Sequence, residues 1–473
     1  CDMTPHPNSL SRRPSFAALL ATALLFSGPL VAEELPPLQV APLDPAFEGT
    51  WRARGYGQMI QAGDGTIRLY DVTESYCAQD VSIGDPPAIP LFAAVDKDSM
   101  RLSLRATGST VYTYDRVETL PETCGTEHPS DPQTVFDVFA ENMAEHYTFF
   151  DLYEVDWAER VAAGRKRIRK DMSDDELFSL LEASLEGLGD AHLGLLAEID
   201  GDVRRYSGRR STLGYKLDAA QAKAGVADQD VFQQKWRKRQ RKELRRLLGK
   251  SLETGADDQI TWGRLGEGGK VGYLRVEGMG GFADADESYE GEIAGVKQWV
   301  GRVLRDLSDT EALIVDVSLN GGGMDEVSLA IAGHFADERT FVYSKSALGA
   351  EGVPAQKIYV EPLGKRYSKP VTLLTSHVTV SAAETFTMAM RALPTVTHRG
   401  EATRGALSDV LEKVLPNGWS LRMSNETYLD AEGELWEGRG VIPEEEIEVF
   451  REATIDTSHA DVLRELAARL SND

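Results

Sequence analysis

Residues 312–336, ALIVDVSLNGGGMDEVSLAIAGHFA, combine an apolar run, three glycines and a segment with helical spacing. The run ALIVDVSLN has no polar alternation, which predicts a strand that is covered on both faces. Such strands occur in parallel sheets flanked by helices, where sites lie beyond the carboxyl ends of the strands. The stretch therefore predicts an α/β core with a candidate site at its glycine turn.

The alternation of strands and helices continues on both sides of this stretch. KVGYLRVEG and PVTLLTS are predicted strands, while YEGEIAGVKQWVGRVLRDL and SAAETFTMAMRAL are predicted helices. Connections of this length allow parallel pairing of the strands. We assign residues 266–450 to the α/β core and residues 451–473 to a C-terminal helix.

Three segments with other patterns precede the core. Residues 45–120 alternate with period two between Gly, Asp and Pro turns, which predicts a small antiparallel β domain. Residues 131–199 have apolar positions three or four apart, which predicts a helical bundle. Residues 200–265 are predicted to be a partly helical, basic linker or lid. The predicted fold class is therefore multidomain α+β.

Residues 1–32 have the layout of an export signal. Arg12 and Arg13 precede an apolar run from Phe16 to Phe26, and small residues follow. The run is too short to span a bilayer, and a buried helix is the alternative interpretation. We expect a periplasmic or secreted protein that meets the membrane only through export.

The composition is that of an acidic globular protein. The formal net charge is -25, and 42% of the residues are hydrophobic. A charge of this sign repels nucleic acid and anionic membranes. The exception is residues 235–250, KWRKRQRKELRRLLGK, a predicted amphipathic helix. A nucleic-acid arm is one interpretation of it; we favour a solvated face, or a cover paired with acidic neighbours, and expect no nucleic-acid partner.

The cysteine and histidine spacings point away from a metal site. Cys77 and Cys124 remain after signal cleavage, and they form either one disulfide or two buried thiols. Neither a CxxC nor an HExxH spacing occurs. We expect no metal and no organic cofactor.

The stretch HVTVSAAETF contains a serine with two possible roles. Ser381 and Glu384 have the spacing of a helix capping box, which is the simpler interpretation. A nucleophilic role would need a base close to the hydroxyl. His377 and His398 are nearby in sequence, and His192 lies in the turn GDAHLG. Sequence spacing alone does not choose among these histidines.

Four motifs in order resemble those of the tail-specific (C-terminal processing) serine peptidases: LIVDVSLNGGG, VTVSAAETF, HRGEATRGALSD and ELWEGRGVIPEEEI. TVFDVFAENMAEHYTFFDLYEVDW and LEGLGDAHLGL resemble the helical region of the branch that contains the tricorn protease and the interphotoreceptor retinoid-binding protein. The resemblance covers about residues 131–450. It implies a crotonase-like (ClpP/crotonase-type) protease core and a peptide or protein substrate.

The resemblance also implies roles for individual residues. Ser381 matches the nucleophile, His192 the general base and Glu437 the residue that orients this base. Ala406 stands where the bacterial and chloroplast processing peptidases have a lysine base, and Ala191 stands where tricorn has a serine. Residues 200–265 lack the alternating strands of the PDZ domain that many members carry, so no PDZ domain is expected.

The oxyanion of such a reaction needs N–H donors beside the nucleophile. We expect these from Ala382 and from Gly322 or Gly323, because glycines at a strand end leave main-chain N–H groups accessible. Asp190 and Glu384 are expected to be helix caps. Two other functions stay open: a binding or scaffold protein that kept this fold and lost activity, and an esterase that uses the same triad.

Overall fold

The structure is a computed structural model, and it describes residues 44–80, 92–96, 101–105, 110–126, 128–283 and 289–471. The predicted export signal at residues 1–32 lies outside these ranges. None of the helices within them has both the length and the apolar character that crossing a bilayer requires.

One seven-stranded antiparallel sheet forms the N-terminal part of the described chain. Its strand order is β4-β3-β2-β1-β7-β6-β5, and Trp51, Ile60 and Tyr114 lie in the core beneath it. Cys77 in β4 forms a disulfide with Cys124, so the prediction of one disulfide, rather than two buried thiols, is confirmed. The strands are β1 Gly49–Ala53, β2 Gln58–Gly63, β3 Thr66–Val72, β4 Cys77–Asp80, β5 Phe92–Asp96, β6 Arg101–Arg105 and β7 Tyr112–Val117.

Three helices follow: α1 Pro132–His146, α2 Trp157–Arg165 and α3 Asp174–Leu185. Asp131 caps α1 by accepting the N–H of Gln133 at 3.1 Å. Ser173 and Glu176 form a capping box at the start of α3. Apolar side chains at helical spacing on α1 and α3, including Phe136, Phe139 and Leu181, form their common core.

The predicted α/β core is a seven-stranded sheet of order β10-β11-β12-β13-β16-β17-β21. From β12 to β21 all neighbours pair in parallel, and helices cover the sheet. The predicted fold class is therefore confirmed. The elements are β10 Glu253–Gly255, β11 Ile260–Leu265, β12 Val271–Val276, α6 Tyr289–Asp306, β13 Ala312–Asp316, α7 Asp325–Ala332, β16 Val371–Thr375, α8 Ala382–Arg391, β17 Val396–Gly400 and β21 Glu445–Glu446.

Two smaller sheets flank this core. One has the order β15-β14-β20, and the other has the order β18-β19-β8-β9. In the second sheet, β8 pairs with β19 in antiparallel register, Leu195 opposite Leu421. This pairing holds the chain that follows α3 against the core. The strands are β8 Gly194–Ile199, β9 Asp202–Ser207, β14 Thr340–Ala347, β15 Gln356–Val360, β18 Val410–Val414, β19 Ser420–Ser424 and β20 Glu426–Asp430.

The segment predicted as a linker or lid is built into the core instead. It contains α4 Thr212–Ala224 and α5 Gln229–Leu248, and α5 packs against β11 and against α9 Ser458–Leu470. Trp236 is buried, and its indole N–H donates to the carbonyl of Ile455 at 3.0 Å. The apolar stripe of α5 is thus covered by the core, which is why the segment is not a loose connection.

Buried lysines join the N-terminal sheet to the core. Lys413 Nζ donates to the carbonyls of Tyr56 and Gly57 at 2.9 Å each and to Asp71 at 2.5 Å. Lys345 Nζ donates to the hydroxyl of Thr110, just before β7, and lies 3.5 Å from the carboxylate of Glu426 in β20. Removing one partner of a buried pair costs about 3–5 kcal/mol, so these contacts fix the position of the sheet.

Candidate active site

Ser381 lies in a sharp turn between β16 and α8. Its φ of 62° and ψ of -131° are unusual for a residue with a side chain. Such a conformation costs about 1–3 kcal/mol and persists only where the surroundings impose it. Its N–H is held by Glu384 Oε2 at 3.2 Å and by the carbonyl of Ala406 at 3.1 Å. The serine therefore stands at the N-terminus of a helix on a strained, firmly held turn.

Glu384 does more than cap α8. Its fully buried carboxylate also accepts the hydroxyl of Thr403 at 2.5 Å, the N–H of Gly405 at 2.7 Å and the N–H of Ala406 at 2.8 Å. Burial raises the pKa of Glu384, although these hydrogen bonds act in the opposite direction. The predicted cap is thus also the group that attaches residues 403–406 to the turn of Ser381.

The glycine turn lies directly against Ser381. Gly322 has a φ of 93°, and a Cβ added there would lie 2.7 Å from the Cβ of Ser381, so only glycine fits. The N–H of Gly322 donates to Asn320 Oδ1 at 2.9 Å. Within the described chain, the N–H groups of Gly323 and Ala382 have no acceptor. Two of the three expected donors are therefore free for a ligand, and the third is already used.

His192 lies in the loop between α3 and β8. Its N–H donates to Asp190 Oδ1 at 2.8 Å, and Asp190 precedes no helix, so the predicted capping role of Asp190 is wrong. Burial lowers the pKa of His192, while Asp190 and Asp409 act to raise it. The main-chain carbonyl of Ser408 faces the ring. The imidazole is therefore neutral near pH 7, the form that accepts a proton.

Glu437 lies in the loop after β20 and is buried. Its Oε2 accepts the N–H of Leu407 at 2.9 Å and the N–H of Ser408 at 3.2 Å. Burial, followed by the charge of Asp190, raises the pKa of Glu437 well above its usual range, and the two N–H donors do not offset this. The carboxyl thus fixes the segment that faces His192.

Residues 403–408 bring the three sequence-predicted positions together. This segment bonds to Ser381 through Ala406, bonds to Glu437 through Leu407 and Ser408, and faces His192. Ala406 is fully buried, so the position of the missing lysine contributes main-chain groups only. Among the described residues, no hydrogen bond joins Ser381 to His192, and no ion pair joins His192 to Glu437.

Several buried polar atoms around Asp190 have no hydrogen-bond partner among the described residues. Asp190 is fully buried, and its charge acts to raise the pKa values of Tyr147, Tyr153 and Glu437. Unpaired buried atoms are rare in native proteins and mark either bound water or a functional site. No sequence pattern pointed to a functional role for the two tyrosines, because aromatic residues in such segments are typical of a core. The unpaired atoms are Tyr147 Oη, Tyr153 Oη, Asp190 Oδ2, His192 Nδ1 and Glu437 Oε1.

The two histidines nearest to Ser381 in sequence have other contacts. His377 accepts the N–H of Thr212 at 3.2 Å, and burial together with Arg209 lowers its pKa to about 4. His398 is fully buried and bonds to the hydroxyl of Thr375 at 2.7 Å. Their rings are therefore held by neighbouring elements. In the part of the chain that the structure describes, no three His, Cys, Asp or Glu side chains are grouped to hold a metal ion.

Residues 270–447 match peptidase family S41. This range includes β12 to β21, the glycine turn and Ser381. The chain contains an S41 peptidase domain. The resemblance to the tail-specific peptidases is thereby confirmed, and the domain is that of a serine-type peptidase, a hydrolase.

Solved structures with a similar fold include three proteases or peptidases. A peptidase from Parabacteroides merdae aligns with a TM-score of 0.56 and 22% identity, over 72% of this chain and 97% of its own. Mature CPAF complexed with lactacystin aligns with a TM-score of 0.49 and 12% identity, over 72% of this chain and 99% of its own. The tricorn protease aligns with a TM-score of 0.40 and 13% identity, over 87% of this chain and 46% of its own. Of these three structures, only that of the Parabacteroides merdae peptidase is similar enough to support the assignment of the fold.

Proposed function

We propose that this protein is an exported serine peptidase that cleaves peptide bonds through an acyl-enzyme on Ser381. The observation that carries the proposal is the segment 403–408, which bonds to both Ser381 and Glu437 although they are far apart in sequence, and whose Ser408 lies beside His192. The strained turn of Ser381 and the two free N–H groups beside it support a nucleophile rather than a simple cap.

In the proposed reaction, His192 removes the hydroxyl proton of Ser381 as the oxygen attacks the substrate carbonyl carbon. The carbonyl oxygen becomes an oxyanion, for which we assign the N–H groups of Ala382 and Gly323, since that of Gly322 is held by Asn320. The imidazolium then protonates the leaving amine as the C–N bond breaks. Water, deprotonated by His192, hydrolyses the ester and regenerates Ser381.

Glu437 has a positioning role in this proposal. It holds Leu407 and Ser408, and the carbonyl of Ser408 faces the imidazole of His192. The orientation of the base is thus set through a main-chain relay, which suits a site with Ala191 in place of a serine. Because no hydrogen bond joins Ser381 and His192 at rest, the proposal requires a small side-chain movement when substrate binds, as is common for ligand-free sites.

The proposed location is outside the cytoplasm. The layout of residues 1–32 and the Cys77–Cys124 disulfide both support export into an oxidising compartment.

Covalent labelling tests the nucleophile. A fluorophosphonate probe should modify Ser381, and Ser381→Ala should abolish both labelling and peptide hydrolysis. Ser173→Ala is the matched control, because Ser173 is an ordinary helix-capping serine whose loss costs about 1 kcal/mol of stability and no activity. Labelling that persists in Ser381→Ala would contradict the assignment.

A catalytically inactive binding protein is the second candidate. The absence of a hydrogen bond between Ser381 and His192 favours it, and it predicts no labelling of the folded wild type. An esterase with the same residues predicts labelling and ester hydrolysis, but no cleavage in a peptide library. The two substrate panels therefore separate the three functions.

A further inference from the structure

The outward face of α5 is a continuous cationic surface. Between Lys235 and Arg246, every exposed side chain is a lysine or an arginine. The other side chains of this stretch are buried or partly buried against the core. We call this surface the α5 cationic face; it consists of Lys235, Arg237, Lys238, Arg239, Arg241, Lys242, Arg245 and Arg246.

Acidic neighbours do not neutralise this face. Arg239 pairs with Asp456 at 3.3 Å, and Arg246 pairs with Glu243 at 2.7 Å. The remaining six side chains have no ion pair within the described residues. Of the two roles that the sequence favoured for this helix, pairing with acidic neighbours therefore accounts for little of its charge.

The face is rigid and cannot insert apolar groups into a partner. Phe232, Trp236, Leu244 and Leu248 lie on the opposite side of α5 and are buried in the core. The side-chain amide of Gln240 donates to the carbonyls of Ile455 and Asp456 at 3.1 and 3.0 Å. The cations therefore form a fixed array about 16 Å long on a straight helix, at 1.5 Å per residue.

We propose that the α5 cationic face binds the surface of an anionic phospholipid membrane. The charges are complementary, and clusters of four to eight basic residues on one helix are typical of anionic-lipid binding. The rest of the chain is strongly acidic, so it is repelled by the same surface and orients α5 toward it. A convex array without exposed aromatic side chains lacks the stacking platforms and groove that single-stranded nucleic acids need.

The predicted export signal at residues 1–32 also favours a membrane over a nucleic acid as the partner. An exported chain passes a membrane and leaves the compartment that holds nucleic acids. Binding through α5 is peripheral and salt-sensitive, since charges are screened within about 8–10 Å at physiological ionic strength. It does not depend on Ser381 or on hydrolysis.

Vesicle sedimentation tests this surface on the full chain. The quantity to compare is a ratio of two partition coefficients, the first into phosphatidylglycerol-containing vesicles and the second into pure phosphatidylcholine vesicles. Insertion of apolar groups elsewhere on the protein would raise both coefficients alike and leave the ratio unchanged. We expect a ratio well above one at low salt that falls toward one as salt increases. The triple variant Lys238→Glu, Lys242→Glu and Arg245→Glu should lower this ratio about tenfold or more.

A variant with the same change in charge is the control. Lys166, Arg167 and Lys170 are exposed and lie outside both α5 and the candidate site, so their replacement by Glu should leave the ratio unchanged. Far-ultraviolet circular dichroism and thermal unfolding verify that both variants are folded. A wild-type ratio near one, equal losses in the two variants, or tighter α5-dependent binding to duplex DNA than to anionic vesicles would each overturn the proposal.

Discussion

Two buried histidine–carboxylate groups in this molecule differ in how fully their polar atoms are bonded. His459 of α9 bonds to Asp316 of β13 at 2.7 Å, and Asp316 also accepts the hydroxyl of Tyr273 at 2.7 Å. In the candidate site, His192, Asp190 and Glu437 each retain a buried atom without a partner. The first arrangement stabilises the fold, whereas the second costs stability unless water or a bound ligand satisfies these atoms.

The pKa values of a buried carboxyl group in each region are also shifted in opposite directions. Burial alone would raise the pKa of Asp316, but His459 and Arg275 outweigh it and hold this pKa below the usual range. Burial and Asp190 raise the pKa of Glu437 instead. Asp316 therefore stabilises the fold above its unfolded pKa of about 3.9, and this contribution is lost as pH falls through the folded value. For Glu437 the sign is opposite, because ionisation is less favourable in the folded chain than in the unfolded one, and this lowers stability above the unfolded pKa of about 4.3.

The largest expected effect comes from replacing each histidine with alanine. His192→Ala should lower kcat/KM for a peptide substrate by about 10²- to 10⁴-fold, because the general base is lost, with little change in unfolding. His459→Ala should cost about 3 kcal/mol in the free energy of unfolding, because the buried carboxylate of Asp316 loses its bond to His459 and a cavity is left in the core, while the folded fraction stays active. Urea unfolding and initial rates on both variants test the contrast, and equal loss of activity in both would contradict it.

Neutralising the two carboxyl groups should change stability with opposite signs. Asp316→Asn should destabilise by about 1.5–3 kcal/mol near pH 7, because the charged acceptor of the hydrogen bonds from His459 and Tyr273 is lost. Glu437→Gln should stabilise by about 1 kcal/mol, since the amide oxygen can still accept from Leu407 and no buried charge has to form.

Urea midpoints at constant m-value measure both changes. Glu434→Gln is the control for Glu437, because Glu434 is exposed and close in sequence, and a change within about 0.5 kcal/mol is expected. A destabilised Glu437→Gln would show that this carboxyl is stabilised as an anion, contrary to the direction of its pKa.

A smaller effect is expected from removing one tyrosine hydroxyl in each region. Tyr273→Phe removes a hydrogen bond to the charged Asp316 and should cost about 1.5–3 kcal/mol. Tyr147→Phe removes a hydroxyl that has no partner and should leave stability unchanged or slightly higher. Thermal unfolding of the two variants side by side is sufficient, and a clear loss in Tyr147→Phe would indicate that water or another group satisfies this hydroxyl.

The sequence predicted the parts of the fold that depend on local pattern. The continuous apolar run of residues 312–316 and the serine at position 381 identified the parallel sheet and the strand-to-helix turn before any contact was known. The position of His192 depends instead on the pairing of β8 with β19. These two strands are far apart in the sequence, and the period of a sequence pattern does not determine which strands pair or in which register. Only the family resemblance selected His192 among the histidines.

The errors had equally specific causes. Asp190 has the residue type of a helix cap, but its carboxylate bonds to the N–H two residues later in a loop. The sequence left the N–H of Gly322 or of Gly323 open as an oxyanion donor, and it did not show that the buried Asn320 holds the former. In each case the deciding contact is a side chain to main-chain hydrogen bond within a turn, whose geometry the residue types alone do not determine.

The smallest expected effect is a shift of the pH profile caused by Asp190. The charge of Asp190 acts to raise the pKa of His192, so Asp190→Asn should lower this pKa and move the acid limb of kcat/KM to lower pH. Asn keeps an oxygen for the N–H of His192, so the loop should keep its conformation. Asp409→Asn, which removes a weaker and exposed charge, should shift the limb less in the same direction. A limb that stays in place or moves to higher pH in Asp190→Asn would contradict the assignment of this limb to a group beside Asp190, and hence to His192.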